Sequence, residues 1–239
     1  MIQLCDVTKT FGNKTAVDHC TAEIPAGSIT GFIGPNGAGK TTTLNMITGI
    51  LHSDEGTILI DGIDISKEPE EAKKKLSFVP DSPDLFLRLS GMEYIEMMAA
   101  IYEVDPETAK KRTEELAAEF EMTDALSQKI ASYSHGMRQK TILIGALVSN
   151  PDNWILDEPM TGLDPTSSFL LKKKMKEHAA NGNTVLFSTH VLEVAEKLCD
   201  KILMIKSGQI VYDGTLGALR DLYPDRSLEE IFLEVTADA

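Results

Sequence analysis

Gly34-Pro35-Asn36-Gly37-Ala38-Gly39-Lys40-Thr41-Thr42 fits the pattern G-x-x-x-x-G-K-[ST], and its flanks are of the kind that pattern requires. Ser28-Ile29-Thr30-Gly31-Phe32-Ile33 reads as a strand before it, and Thr42 to Ile50 carries Leu44, Ile47 and then Leu51 at helical spacing after it. Glycines let backbone N–H groups turn inward around a phosphate, and a new helix adds the partial positive charge of its N-terminus. In such a loop Asn36, Gly37, Ala38, Gly39 and Thr42 wrap the phosphates, Lys40 reaches the β- and γ-phosphates, and the Thr41 hydroxyl holds Mg²⁺. A glycine turn that merely joins strand to helix is the plainer alternative. Strand, loop and helix in the required order favour the nucleotide.

Upstream, Ile2, Leu4 and Val7 alternate with polar residues, and Ala16 to Ile24 reads as a second strand after the turn Phe11-Gly12-Asn13. Phe11 is open to two readings, an aromatic that stacks on a base or a core residue near a turn. Downstream, Thr57 to Ile60 and Ile63 to Ile65 form a hairpin across Asp61-Gly62. A short helix from Glu68 to Leu76 leads to the strand Leu76 to Val79, which Pro80 ends. The chain then changes character. Gly91 to Val104, Pro106 to Met122 and Gly136 to Ser149 all have helical patterns, with no strong strand until Trp154. Met92, Met97 and Met98 in this stretch read as core packing. Tyr133-Ser134-His135-Gly136 puts a serine just ahead of an apolar helix, which makes Ser134 an N-cap and also a possible anion contact.

Trp154-Ile155-Leu156 is a buried strand running into Asp157-Glu158-Pro159. Adjacent carboxylates at a strand end supply what a phosphate loop lacks: Asp157 to hold Mg²⁺, directly or through water, and Glu158 to orient and deprotonate the attacking water. After the turn Met160 to Pro165 comes a helix from Ser167 to Ala180, then the strand Thr184 to Phe187, finishing at Ser188-Thr189-His190. His190 can bond a γ-phosphate oxygen from there, or be a structural histidine. Strands Ile202 to Ile205 and Gln209 to Tyr212 and a helix from Leu216 to Leu222 follow. Ser227 and Glu230 make a capping box for a last helix through Val235.

A formal charge of -14 argues against a nucleic-acid surface, since phosphate backbones call for clustered cations. The basic runs Lys73-Lys74-Lys75 and Lys172-Lys173-Lys174 read as solvated helix faces. Cys5, Cys20 and Cys199 are scattered, show no metal-ligand spacing and are expected to be reduced. No signal peptide is expected, because the N-terminus alternates. The densest apolar run, Ile142 to Val148, is far short of the roughly 20 residues a bilayer requires. If the protein acts at a membrane, another chain must cross it.

Taken together these motifs resemble the nucleotide-binding subunit of an ABC transporter, over nearly the whole chain and in the family's order. GPNGAGKTT matches the Walker A loop, YSHGMRQK resembles the signature motif, WILDEP matches Walker B, MTGLDP the D-loop and STH the switch histidine. The resemblance implies an α/β fold: a P-loop NTPase (RecA-like) core with an N-terminal antiparallel β-subdomain and an inserted all-helical subdomain. Residues 1–80 and 151–222 would form the ATP-binding core with its β-subdomain, 81–150 the helical signature subdomain, and 223–239 a C-terminal helix.

The same resemblance makes Phe11 the adenine-stacking aromatic and adds Val17 to the nucleotide contacts. It makes Ser134 and Gly136 contacts to the ATP of a second subunit, and Lys40, Glu158 and His190 the catalytic group. The implied ligands are ATP and Mg²⁺, the metal held by Thr41, Asp81 and Asp157. The implied partners are a second ATP-binding subunit, identical or different, and separately encoded transmembrane permease subunits. Such a chain would lie in the cytoplasm, peripheral on the inner face of the membrane, and bind no nucleic acid.

Two features depart from the family. Asp81 stands where glutamine is usual after Val79-Pro80, and His135 and Met137 replace the signature's first glycine and its glutamine. Ser134 and Gly136 remain, so an active ATPase is expected. The ending Ser227 to Leu233, with Val79-Pro80-Asp81 and Ser134 to Met137, resembles bacterial subunits of multidrug or antibiotic exporters. An importer subunit is the alternative, and a non-transport ABC ATPase acting on nucleic acid or ribosome a more remote one.

Overall fold

The computed structural model describes residues 1–84 and 86–236; residue 85 of the expected helical insert and residues 237–239 of the expected C-terminal segment lie outside the described residues. The chain opens with a hairpin of β1 (Ile2–Phe11) and β2 (Lys14–Ile24), then β3 (Ser28–Ile33) and α1 (Lys40–Ile47). A second hairpin, β4 (Glu55–Ile60) and β5 (Ile63–Asp64), leads to α2 (Pro69–Lys74) and β6 (Leu76–Val79). Next come α3 (Gly91–Ile101), α4 (Pro106–Glu119), a 3-10 turn at Ile130–Ser132, and α5 (His135–Ser149). The chain returns to alternation with β7 (Asn153–Leu156), α6 (Pro165–Ala180), β8 (Thr184–Thr189), α7 (Leu192–Leu198) and β9 (Lys201–Lys206). It closes with β10 (Gln209–Thr215), α8 (Leu216–Leu222) and α9 (Leu228–Thr236).

Helix starts follow local chemistry. Ser90 and Glu93 form a reciprocal capping box on α3, while Asp105 and Asp164 cap α4 and α6, each followed by a proline whose missing N–H costs nothing at that position. α5 ends at Asn150, which takes a left-handed conformation, φ 45°. α7 is an element the sequence pattern did not announce. It is one short run whose N-cap, Val191, makes no side-chain bond to it.

Two sheets share the chain. The antiparallel sheet has the order β2-β1-β4-β5, and the larger one β10-β9-β3-β8-β7-β6, parallel except for β10 at its edge. Alternation along the larger sheet sends side chains to two cores. Phe32, Ile155, Leu186 and Leu203 face a core shared with the antiparallel sheet and α1. Ile33, Leu156, Phe187 and Met204 face the other, which the helices complete.

The helical insert packs into that second core through Tyr94, Ile95, Phe120 and Leu143. Met97 and Met98 join the packing, whereas Met92 is 36% exposed, so the methionine face is only partly core. The parallel strands β3, β8, β7 and β6 are consecutive neighbours, so their C-terminal ends bring residues 34–42, His190, Asp157-Glu158 and Asp81 to one edge.

Candidate nucleotide site

The loop after β3 is built from backbone. Gly39 precedes α1 at φ 114°, and a Cβ there would meet the Ala16 carbonyl oxygen at 2.5 Å, so no other residue fits. No side chain caps α1, which leaves the first N–H groups of the helix facing the loop's interior. Lys40 is 8% exposed and donates from Nζ to the Gly34 carbonyl at 2.6 Å and the Pro35 carbonyl at 3.2 Å. Burial lowers its proton affinity, and Glu158 and Asp157 oppose that loss. The cation is therefore held under the loop by carbonyls it can exchange for other oxygens.

At the end of β7, Asp157 is 1% exposed and its backbone N–H donates to the Val79 carbonyl at 2.8 Å. Its Oδ1 accepts from the Ser188 hydroxyl at 2.5 Å, while Oδ2 is buried with no partner. An unpaired buried carboxylate oxygen is costly, and a hard cation is the ligand such an oxygen suits. The donor set thus fits a divalent metal. Glu158 adopts φ 47° and places Oε2 2.9 Å from His190 Nδ1, with the histidine 61% exposed.

Between these elements lies a cleft of about 380 Å³, lined by Asn36, Gly37, Gly39, Lys40, Thr41, Thr42, Asp81, Asp157 and Glu158, with Phe11, Lys14 and Ala16 at its side. Phe11 ends β1 at 49% exposure with Lys9 Nζ 5.6 Å above its ring, so it is not the core residue an aromatic near a turn suggested. Lys14 and Ala16 were missed from sequence. The signal was the hairpin itself, since Phe11 pairs with Lys14 across it.

Val17 is fully buried, and its side chain is not in the cleft. Alternation along β2 turns Ala16 to the cleft and the Val17 side chain into the core, so of the two it is Ala16 that lines the cleft. Ala38 is also buried among core residues, with its carbonyl accepting from the Gly208 N–H at 2.8 Å.

The start of α5 stands apart. Ser134 is exposed and its Oγ accepts from the Met137 N–H at 3.3 Å, while neither Ser134 nor Gly136 lines the cleft. This end is clamped to the loop after Glu158. A Cβ on Gly136 would meet the Gly162 carbonyl oxygen at 2.7 Å, and one on Gly162 would meet His135 Cδ2 at 2.3 Å. Lys140 Nζ lies 2.8 Å from Asp164 Oδ2 and, with the Ser167 N–H, holds that carboxyl below the usual range. Gln139 is buried there too, donating to the Pro159 carbonyl at 3.4 Å.

Residues 17–161 match the sequence profile described as ABC transporter. The chain belongs to the ABC transporter family. It is 35% identical over 238 residues to the ABC transporter ATP-binding protein NatA of Bacillus subtilis, covering 98% of this chain and 97% of that one. It is 34% identical over 219 residues to the daunorubicin/doxorubicin resistance ATP-binding protein DrrA of Streptomyces peucetius, covering 92% of this chain and 66% of that one. Among solved structures, the ATP binding subunit of an ABC transporter superposes with TM-score 0.95 at 31% identity, covering 99% of each chain. A dimeric ATP-binding cassette in a post-hydrolysis state, bound to ADP and Pi, superposes with TM-score 0.81 at 26% identity, covering 90% of this chain and 99% of that one. The ABC chain described here is an ATP-binding, ATP-hydrolysing transporter subunit with the P-loop fold its sequence implied. Among the described residues no helix is long and apolar enough to cross a membrane.

Proposed function

We propose that this chain drives export through separately encoded permease subunits, by closing with a second ATP-binding subunit around two ATP molecules. It would sit on the cytoplasmic face of the membrane through those permeases. The unpartnered Asp157 Oδ2, buried beside Lys40 and Glu158 at one sheet edge, is the observation that carries the nucleotide chemistry. Asp157, Thr41 and Asp81 would hold Mg²⁺, which when bound neutralises charge on the phosphates. Lys40 and the N–H groups of residues 36–42 bind and orient the phosphates. Phe11 stacks on the base, and Ala16 and Lys14 flank it.

Glu158 holds the attacking water and takes its proton; His190, 2.9 Å from that carboxylate, fixes its direction and reaches toward the γ-phosphate. Ser134 and Gly136, outside the cleft of their own chain, meet the ATP of the partner. The division into residues 1–80 with 151–222, 81–150 and 223–239 serves this reading, because the helical part can then deliver Ser134 as one body. Export is supported by relatives named for drug resistance and Nod factor export.

Where the neighbouring reading frame encodes a multi-span protein, co-expression with it tests the partnership. Extracted membranes should yield the two as a complex that hydrolyses ATP. A chain that stays in the soluble fraction while that protein is in the membrane would refute it, and an adjacent secreted binding protein would reverse the direction to import.

A further inference from the structure

Ser188 was quoted in the sequence only as a neighbour of the switch histidine, yet it touches both acids of the site. We propose that Ser188 is a positioning residue for ATP hydrolysis, its single hydroxyl fixing Asp157 and Glu158 together. The proposal rests on the nucleotide reading above and deepens it. Ser188 is fully buried on β8, and the parallel pairing Leu156↔Phe187 brings the next residues, Asp157 and Ser188, side by side. A hydroxyl has one proton to give and lone pairs to accept. Here the proton goes to Asp157 Oδ1 at 2.5 Å, and a lone pair receives the Glu158 N–H at 2.9 Å.

Each bond constrains one acid. With Oδ1 engaged, the Asp157 carboxylate cannot spin, and Oδ2 is left as its one open oxygen. With its N–H anchored, Glu158 is held at φ 47°, a conformation side chains other than glycine rarely adopt, and this aims its carboxylate at His190. Buried hydroxyls in this sheet do not bond as a matter of course. Thr30, Ser77 and Thr184 have hydroxyls with no partner, so a buried strand hydroxyl is tolerated without any such role, and the two bonds of Ser188 set it apart.

Threonine and valine have nearly the same shape, so Ser188→Thr and Ser188→Val differ in the hydroxyl and share any effect of the added methyls. The readouts are Mn²⁺ affinity by electron paramagnetic resonance with a non-hydrolysable ATP analogue, ATP affinity in EDTA, and kcat. Losing a group that orients a metal ligand typically costs about 10–100-fold in metal affinity or activity. Ser188→Val should weaken Mn²⁺ binding and kcat by about that factor, keep its metal-free ATP affinity, and be largely rescued in Ser188→Thr. Equal behaviour of the two variants, or loss of metal-free ATP binding in Ser188→Val, would overturn the proposal. Should neither β-branched variant fold, Ser188→Ala replaces them, and parental Mn²⁺ affinity in that variant would overturn it equally. Failure of the parental chain to bind Mn²⁺ with nucleotide would instead strike the nucleotide reading, before Ser188 enters.

Discussion

The phosphate-loop edge and the start of α5 are the two places where the proposed function puts nucleotide contacts, and they are finished to different degrees. At the first, Lys40 is 8% exposed, bonded to two carbonyls and set against buried Asp157, so its geometry exists before any ligand arrives. At the second, Ser134 is exposed and caps its own helix, with no part in the cleft of its own chain. Behind Ser134, however, the packing is tight: His135 lies over Gly162, and Lys140 is paired with Asp164. One edge lines a cleft within the chain, and the other turns Ser134 outward with no part in that cleft. On the proposed reading, a chain built this way hydrolyses ATP efficiently only as a pair.

The largest effect that can break this contrast is expected at Glu158. Glu158→Gln should bind Mg-ATP but hydrolyse it at least ~100-fold more slowly, since general-base assistance typically contributes 10²–10⁴-fold. Phosphate release measures the rate, and light scattering should show a long-lived ATP-bound dimer. Parental turnover, or a monomer with ATP bound, would remove Glu158 from that role.

Lys40→Ala acts on the finished edge alone. Hydrogen bonds to charged groups contribute about 1.5–3 kcal/mol, so ATP affinity by calorimetry should fall by roughly 10–100-fold. Unchanged affinity would mean that the ammonium stays with Gly34 and Pro35 when nucleotide binds.

Ser134→Asp sharpens the other edge. Aspartate caps a helix as well as serine does, so α5 should keep its start, while a negative charge now faces any incoming phosphate. Nucleotide affinity of the dilute monomer should be unchanged and ATP-driven dimerisation lost, with turnover down about 10-fold. Weakened binding in the monomer would place Ser134 in its own chain's site.

The smallest effect is expected at Phe11, half exposed at the hairpin end. Phe11→Ala should cost about 1 kcal/mol, near fivefold, for ATP and GTP alike and leave inorganic triphosphate unaffected. An equal loss for triphosphate would show that Phe11 acts through the fold.

Legibility along the chain follows the range of the interactions involved. The loop at residues 34–42 and the pair Asp157-Glu158 could be read because their chemistry requires particular residues at adjacent positions. Phe11, Lys14, Ala16 and Val17 could not be sorted, because which of them faces the cleft depends on the register of β1 on β2, and a one-residue change of parity exchanges Ala16 for Val17. The bridge from Ser188 to Asp157 depends on β8 lying beside β7, a neighbour relation that no local pattern contains. α7 escaped for a different reason: it is short, and Val191 before it supplies no cap. His135 was legible as a departure from the family but not as the residue packed over Gly162.

The composite site is tested most directly by mixing two defective variants, Glu158→Gln and Ser134→Asp, and assaying phosphate release. In a mixed head-to-tail pair one site carries both defects, while the other joins an intact Glu158 to an intact Ser134. The account predicts that the mixture hydrolyses ATP faster than the sum of the two variants assayed apart, with the excess growing as protein concentration rises. A mixture no more active than that sum, in solutions where light scattering shows that mixed dimers form, would contradict it.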